Sequence, residues 1–377
     1  MMARQNQHVT SEPGAARLLP ALLLTILVAA CAAAPPRQQP IPALTGQAPV
    51  QIPDVDLLRL TPEMRAFSER YAKRGADNTG KAWMLAYAAL DPYLLAFEYD
   101  PMVTLPADEG FRLGRGNCLT FSSMFVAMAR DAGLSAWYQE VIVPPEWNAV
   151  NETLLVSKHV NAVVAEWSSR YVIDVSRRKQ KPMEETRRMT DEEALAQFYN
   201  NLGADALVGN DLGHAHAYFG KALEAHPGLA YVWSNLGVVL RRNGQTTDAV
   251  LAYQTAIDLD PQNGVALNNL HTLYREEGDL EAAAAIEQRV DRNRRKNPYY
   301  LHYLAELAIE EQRWTDAIEL LDRAIGLEAN EYRFHYALAQ ARYYAGNSDK
   351  ALASLDRARE LAPAGALEEP LTLPDGR

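Results

Sequence analysis

From Ala196 onward the chain repeats itself every 34 residues, five times in unbroken register, with starts at 196, 230, 264, 298 and 332. The seventh position is Leu in each copy: Leu202, Leu236, Leu270, Leu304 and Leu338. The twentieth is Ala (Ala215, Ala249, Ala283, Ala317, Ala351), and the twenty-seventh is Ala222, Ala256, Val290, Ala324 and Ala358. A unit of this length holds two helices and their turns but cannot bury its apolar faces alone. Neighbouring units must therefore stack, which predicts an all-α solenoid over residues 191–363. A small residue at a fixed place lets two helices approach closely, and Leu fills the layer between them.

The second unit carries the pattern most fully: Trp233, Leu236, Gly237, Ala249, Tyr253, Ala256 and Pro261. It resembles the tetratricopeptide repeat. Units three and four depart from it, with His271 and Ala305 at the usual Gly site and Arg295 and Ala329 at the usual Pro site. Solenoids of this kind present a concave face lined by their first helices. Helical phase assigns to that face Asn200, Arg241, Arg242, Asn268, Arg275, His302, Tyr336, Tyr343 and Tyr344. Arg and Tyr suit capture of a protein or peptide partner, although a merely solvated inner face would read the same way. Asn200 and Ala204 stand where chaperone-tail clamps of the resembling family use Lys and Asn, so that specialisation is not expected. The tail, residues 364–377, reads as disordered.

At the other end, residues 1–17 carry Arg4 and Arg17 against one acid, Glu12. The apolar run "LLPALLLTILVAA" follows and stops at Cys31. A charged start, an apolar stretch of this length and small residues before a cleavage point make residues 1–30 a secretory signal. "LVAAC" resembles the lipobox of bacterial lipoproteins, which implies acylation of Cys31 and a membrane anchor. The plain alternative is an ordinary signal with an incidental Cys. By resemblance to lipoprotein sorting, Ala32 after the Cys implies the outer membrane, facing the periplasm. Residues 31–57, rich in Pro, Ala and Gln, read as an extended tether.

The net charge of −11 leaves no basic surplus for phosphates, which argues against nucleic acid. Removal of residues 1–30 would leave 35 − 47 = −12. No CxxC, HExxH or Gly-rich phosphate loop occurs, so no metal or other cofactor is expected.

Residues 58–190 remain for an α+β domain. "LTPEMRAFSERYAKR" and "GKAWMLAYAALDPYLLAFEY" read as helices at the 3.6 period. "GRGNCLTFSSMFVAMARDAGLSA" puts Cys118, the other cysteine of the chain, at the first turn of a nearly all-apolar helix ending at Ala132-Gly133. "SAWYQEVIVP" and "KHVNAVVAEWSSRYVIDVS" are strand-like, the second folding into a hairpin about Ser168-Ser169. His159 and Asp174 are 15 apart, an odd number, so an even hairpin loop puts both side chains on one face. A carboxylate beside the imidazole stabilises its charged form. That imidazolium and the helix N-terminal amides would both favour the Cys118 thiolate. This is the logic of Cys-His-Asp nucleophilic catalysis.

Here the chain resembles the transglutaminase-like superfamily of papain-like cysteine enzymes, on "GNC", "MARDAGLSAWYQEV", "HVNAVV" and "YVIDV". The resemblance implies a nucleophile at Cys118, a base at His159, an orienting group at Asp174, and hydrolysis, deamidation or transamidation of a protein or peptide amide. Many relatives have an aromatic two residues after the His, where this chain has Asn161. The Cys118 amide is the natural oxyanion donor, and nothing in the sequence selects Trp83 or Tyr99 as the second. Each residue also has a plainer reading: a core thiol, a locally satisfied strand His, a turn Asp. An intermolecular disulfide through Cys118 is a further one. On those readings the chain is a non-catalytic repeat adaptor of the cell envelope with an inactive domain.

The basic run "RRKQKPMEETRR" at 177–188 reads as a solvated loop, followed by a helix capped by Thr190 with Glu193.

Overall fold

The computed structural model describes residues 39–75, 77–142, 146–148, 153–155, 159–166, 169–175 and 185–362. The expected leader, Cys31, the C-terminal tail and most of the basic run lie outside the described residues. No helix among the described residues is long and apolar enough to cross a membrane.

The N-terminal domain begins with α1 (Pro62–Ala72), started by the Thr61 cap and a Pro in its first turn, and α2 (Asn78–Leu90), capped by Asp77. The second apolar stretch was expected to stay helical to Tyr99. It stops at Asp91-Pro92, because Pro has no N–H to donate and disfavours helical geometry in the residue before it. The chain then folds back along the helix it has left, with Leu95 N–H on Ala88 O at 3.2 Å and Phe97 N–H on Ala89 O at 3.0 Å. A short strand β1 (Glu98–Tyr99), helix α3 (Ala107–Leu113) and strand β2 (Arg115–Gly116) lead to α4 (Cys118–Asp131). Strands β1 and β2 pair in parallel, Tyr99 opposite Gly116.

Strand β3 (Ser135–Val141) is followed by the small hairpin of β4 (Glu146–Asn148) and β5 (Thr153–Leu155). Then come β6 (His159–Glu166), β7 (Ser169–Ile173) and β8 (Thr186–Met189). The sheet runs β7-β6-β3-β8, and each neighbouring pair is antiparallel. Helix α4 lies across one face, tied by Ser122 Oγ–H to Val160 O at 3.3 Å and by Tyr138 Oη–H to Ser123 Oγ at 3.0 Å. Its side chains from Leu119 to Ala129 are all buried, as expected of a helix apolar on most sides.

Thr190 and Glu193 form the expected capping box, with Glu193 N–H on Thr190 Oγ1 at 3.1 Å and Thr190 N–H on Glu193 Oε2 at 2.8 Å. Helix α5 (Asp191–Val208) starts directly from the last strand, and Arg187 joins Glu140 of the sheet to Glu193 of the helix. The remaining first helices are α7 (Ala230–Arg242), α9 (Gly264–Glu276), α11 (Pro298–Glu310) and α13 (Tyr332–Tyr344), each beginning at a repeat start. The second helices are α6 (Leu212–Ala225), α8 (Thr246–Leu259), α10 (Leu280–Arg294), α12 (Trp314–Leu327) and α14 (Ser348–Leu361). All five residues at the twentieth position and all five at the twenty-seventh are buried.

The departures of units three and four from the repeat pattern follow from size. A Cβ on Gly203 would lie 2.6 Å from the Phe219 ring, and one on Gly237 2.5 Å from the Tyr253 ring. Where Glu287 or Leu321 replaces that aromatic, His271 or Ala305 occupies the Gly site. One core runs from Leu57 through the N-terminal domain and the first three units to Val290, and a separate one begins at Leu301.

The tether expected over residues 31–57 needs correction where it is described. Residues 39–57 are extended but lie as a strap against the first two units. Ile41, Leu44, Ile52 and Val55 pack on the core. His216 meets Pro42 O at 2.7 Å, Gln245 Nε2–H reaches Ala43 O at 3.0 Å, and Tyr199 Oη–H reaches Pro53 O at 3.1 Å. Apolar residues spaced among the prolines give the strap surface to bury, and Pro leaves carbonyls free for outside donors.

Candidate functional site

The "GNC" stretch is built for close approach and for a helix start. A Cβ on Gly116 would lie 2.4 Å from Thr120 Cγ2, so only glycine fits there. Asn117 is the cap of α4: its Oδ1 accepts Thr120 N–H at 3.0 Å and its Nδ2–H donates to Thr104 Oγ1 at 2.7 Å. Cys118 therefore occupies the first helical position, partly buried at the positive end of the helix dipole.

The imidazole and its carboxylate partner come from the sheet. Glu166 pairs with Ser169, so two residues close the hairpin and the predicted parity holds. His159 Nε2 lies 2.6 Å from Asp174 Oδ2, and each side chain is 12% exposed, which shields the pair from bulk water without sealing it. The imidazole also hydrogen-bonds Cys118, so helix start, strand start and strand end converge on one ring. Burial alone would lower the His159 pKa. The hydrogen bonds and negative charges of Asp174 and Cys118 outweigh it and raise it from 6.5 to about 9. At neutral pH the ring is an imidazolium set against Asp174 and Cys118. That is an arrangement able to shuttle a proton to and from sulfur.

Two further residues stand beside the three. Tyr99, set opposite Gly116, has its phenol pKa raised by burial and by the charges of Cys118, Asp174 and Asp100. Sequence reasoning had no ground to select it, since its place depends on a two-residue parallel pairing. Asn161, two residues along β6 from His159, is wholly buried, and neither its Oδ1 nor its Nδ2 has a hydrogen-bond partner. Such a group costs about 1–3 kcal/mol until something bonds it.

The residues expected on the concave face divide. Asn200 and Asn268 are buried and are corrected as partner contacts. Asn200 Oδ1 accepts Asn235 Nδ2–H at 2.8 Å, and Asn268 Oδ1 accepts Arg294 Nε–H at 2.9 Å. His302 is partly buried: its ring packs 5.1 Å from Phe334 and lies 3.7 Å from Glu306, and burial plus the Arg333 charge lower its pKa to about 4. Tyr336 and Tyr343 cover Ala351 and Leu355 at the end of the solenoid. Arg242 donates to Leu207 O at 2.9 Å and Arg241 pairs with Glu276 at 2.5 Å, both bonds joining one unit to the next. Arg275 is exposed, and Tyr344 is half exposed and stacked 4.9 Å from Trp314. Strands β5 and β4 of the N-terminal domain lie against α9 and α11, so that part of the inner side is approached from within the chain.

The family match falls in the helical half. A family model described as tetratricopeptide repeat matches residues 200–264 and 302–366. The chain is 35% identical over 99 residues to a peroxisomal targeting signal receptor of Pichia angusta, covering 25% of this chain and 17% of that protein. It is 33% identical over 76 residues to the chloroplastic tetratricopeptide repeat domain-containing protein PYG7 of Arabidopsis thaliana, covering 20% and 25%. It is 29% identical over 102 residues to the photosystem I assembly protein Ycf3 of Cyanophora paradoxa, covering 25% and 59%. The chain thus spans between 17% and 59% of the length of these relatives. Among solved structures, MamA superposes with a TM-score of 0.27 at 20% identity, over 48% of this chain and 98% of that one. PilF of Pseudomonas aeruginosa gives a TM-score of 0.32 at 20% identity, over 46% and 79%. Five helix pairs in register, with alanine buried at both fixed positions except for Val290, agree with the family match: the C-terminal region is a helical solenoid like that of tetratricopeptide repeats.

Proposed function

We propose that the protein binds a protein partner through its repeats and acts on an amide bond through Cys118, His159 and Asp174. The observation that carries the catalytic part is the 2.6 Å His159–Asp174 contact, with the same ring bonded to a thiol at a helix start. Cys118 sulfur attacks the amide carbonyl carbon, and the carbon–nitrogen bond breaks. His159 gives its proton to the leaving nitrogen, and a thioester remains on Cys118. Water, or an amine, then gives its proton to His159 and attacks the thioester, which releases the acyl group and restores the thiol. The domain is read as transglutaminase-like on these residues. Acylation of Cys31, after "LVAAC", would hold the protein at the bacterial outer membrane, facing the periplasm.

A second reading, a non-catalytic adaptor, is favoured by the relatives named above, whose matches concern repeats. The two readings part on thiol reactivity. In the full-length protein, iodoacetamide should modify the Cys118 peptide rapidly at pH 6, where ordinary thiols are slow, as read by mass spectrometry. His159→Ala should slow that reaction about tenfold or more. Slow labelling that the substitution leaves unchanged would leave the adaptor reading standing alone.

A further inference from the structure

Fourteen large apolar side chains are exposed among the described residues, and seven of them lie between residues 83 and 102. Trp83, Tyr87 and Leu90 are spaced i, i+4, i+7 along the outer side of α2, while Ala82, Leu85, Ala86 and Ala89 fill its inner side. The chain then folds back on the end of α2 and presents Tyr93, which is 92% exposed, before reaching Tyr99 and Met102. Helix α2 packs against both α4 and β6, the elements that carry Cys118 and His159. Tyr99 lies within electrostatic reach of Cys118 and Asp174. Tyr99 also pairs with Gly116, two residues before Cys118, so the apolar stretch passes beside the start of α4. From Trp83 to Leu90 it spans about 10 Å of helix, the length of roughly three extended residues.

Resting on the thiol reading above, we infer that this stretch is the docking surface for the substrate, a neutral or basic polypeptide with an aromatic or long aliphatic residue next to the amide attacked by Cys118. Exposed aromatic clusters of this kind mark binding surfaces, and Tyr and Trp give large contact area at little entropic cost. Charge selects the class of occupant. Between Lys81 and Arg112 there is no Lys or Arg; Asp108 is buried against Arg59 and Asp100 pairs with Arg115, while Asp91, Glu98 and Glu109 leave the stretch acidic. An anionic bilayer is repelled by such a surface, whereas a peptide without acidic residues is not.

The test compares two reagents on the full-length protein, iodoacetyl-Gly-Phe-amide and iodoacetyl-Gly-Gly-amide, with modification of Cys118 followed by mass spectrometry. The Gly reagent reports the thiolate, and the ratio of the two rates reports the surface. The ratio should be about tenfold, with the Phe reagent saturating, and should fall towards one in Tyr93→Ala/Met102→Ala and in Tyr87→Ala. A ratio near one in the unaltered protein, or a high ratio that these substitutions do not move, overturns the docking surface and leaves the thiol reading intact. Slow modification by both reagents removes the thiol reading, and the docking surface falls with it. Sedimentation with phosphatidylglycerol vesicles, weakened by the same substitutions, would assign the stretch to lipid and overturn the polypeptide.

Discussion

In the solenoid a residue's work is done five times over: Ala215, Ala249, Ala283, Ala317 and Ala351 are all buried at the same step of successive units. In the N-terminal domain nothing is repeated. Cys118, His159 and Asp174 come from a helix start, a strand start and a strand end, and each occurs once. A change in one unit of the solenoid meets a structure whose other units keep their own contacts. A change in the site removes the only group of its kind. The contrast separates two kinds of specification: distributed packing, which sets stability, and convergence of single residues, on which the proposed chemistry rests.

Leu236→Ala tests the packing side most severely. Leu236 is wholly buried, and its loss should cost about 2–5 kcal/mol in urea unfolding while labelling of Cys118 stays fast. Equal damage to both would break the contrast. Asp174→Asn tests the other side. It removes a charge-assisted hydrogen bond to an imidazolium, a loss of about 1.5–3 kcal/mol. The sign follows from the raised His159 pKa: the pair's contribution is complete below about 6.5 and is lost as pH rises through about 9. Unaltered protein and variant should therefore differ most near pH 6 and converge above pH 9. A gap constant with pH would contradict the ion pair.

Gly237→Ala puts a Cβ 2.5 Å from Tyr253 and should destabilise by about 1–3 kcal/mol. Adding Tyr253→Leu reproduces the pairing of Ala305 with Leu321. It should recover much of that loss, a coupling visible in a double-mutant cycle. The smallest expected effect is that of Thr190→Ala, which removes half of the capping box between the two regions, at about 1 kcal/mol by thermal unfolding.

What was legible in the sequence follows the same division. Period 34 placed the four helix starts at 230, 264, 298 and 332 because the same contacts recur at each. The parity of residues 159 and 174 put His and Asp on one face because pleating allows no other outcome for an even loop. The strap of residues 39–57 was misread because its partners, such as Tyr199 and Gln245, are far along the chain and carry no local signal. Asn200, Asn268 and His302 were misplaced because helical phase gives a direction, not a depth or a partner: Asn235 of the next unit bonds Asn200, Arg294 of the same unit bonds Asn268, and Phe334 of the next unit packs on His302. Tyr99 escaped selection because only the pairing of β1 with β2 brings it beside Gly116.

The central claim is that Cys118, His159 and Asp174 act as one electrostatic unit, and the imidazole reports it directly. An NMR titration of His159, in the unaltered protein and in Cys118→Ala, should give a midpoint near 9 that falls when the thiol is removed. A midpoint near 6.5 in both proteins would mean that the three residues are neighbours without being coupled, and the catalytic account would fail.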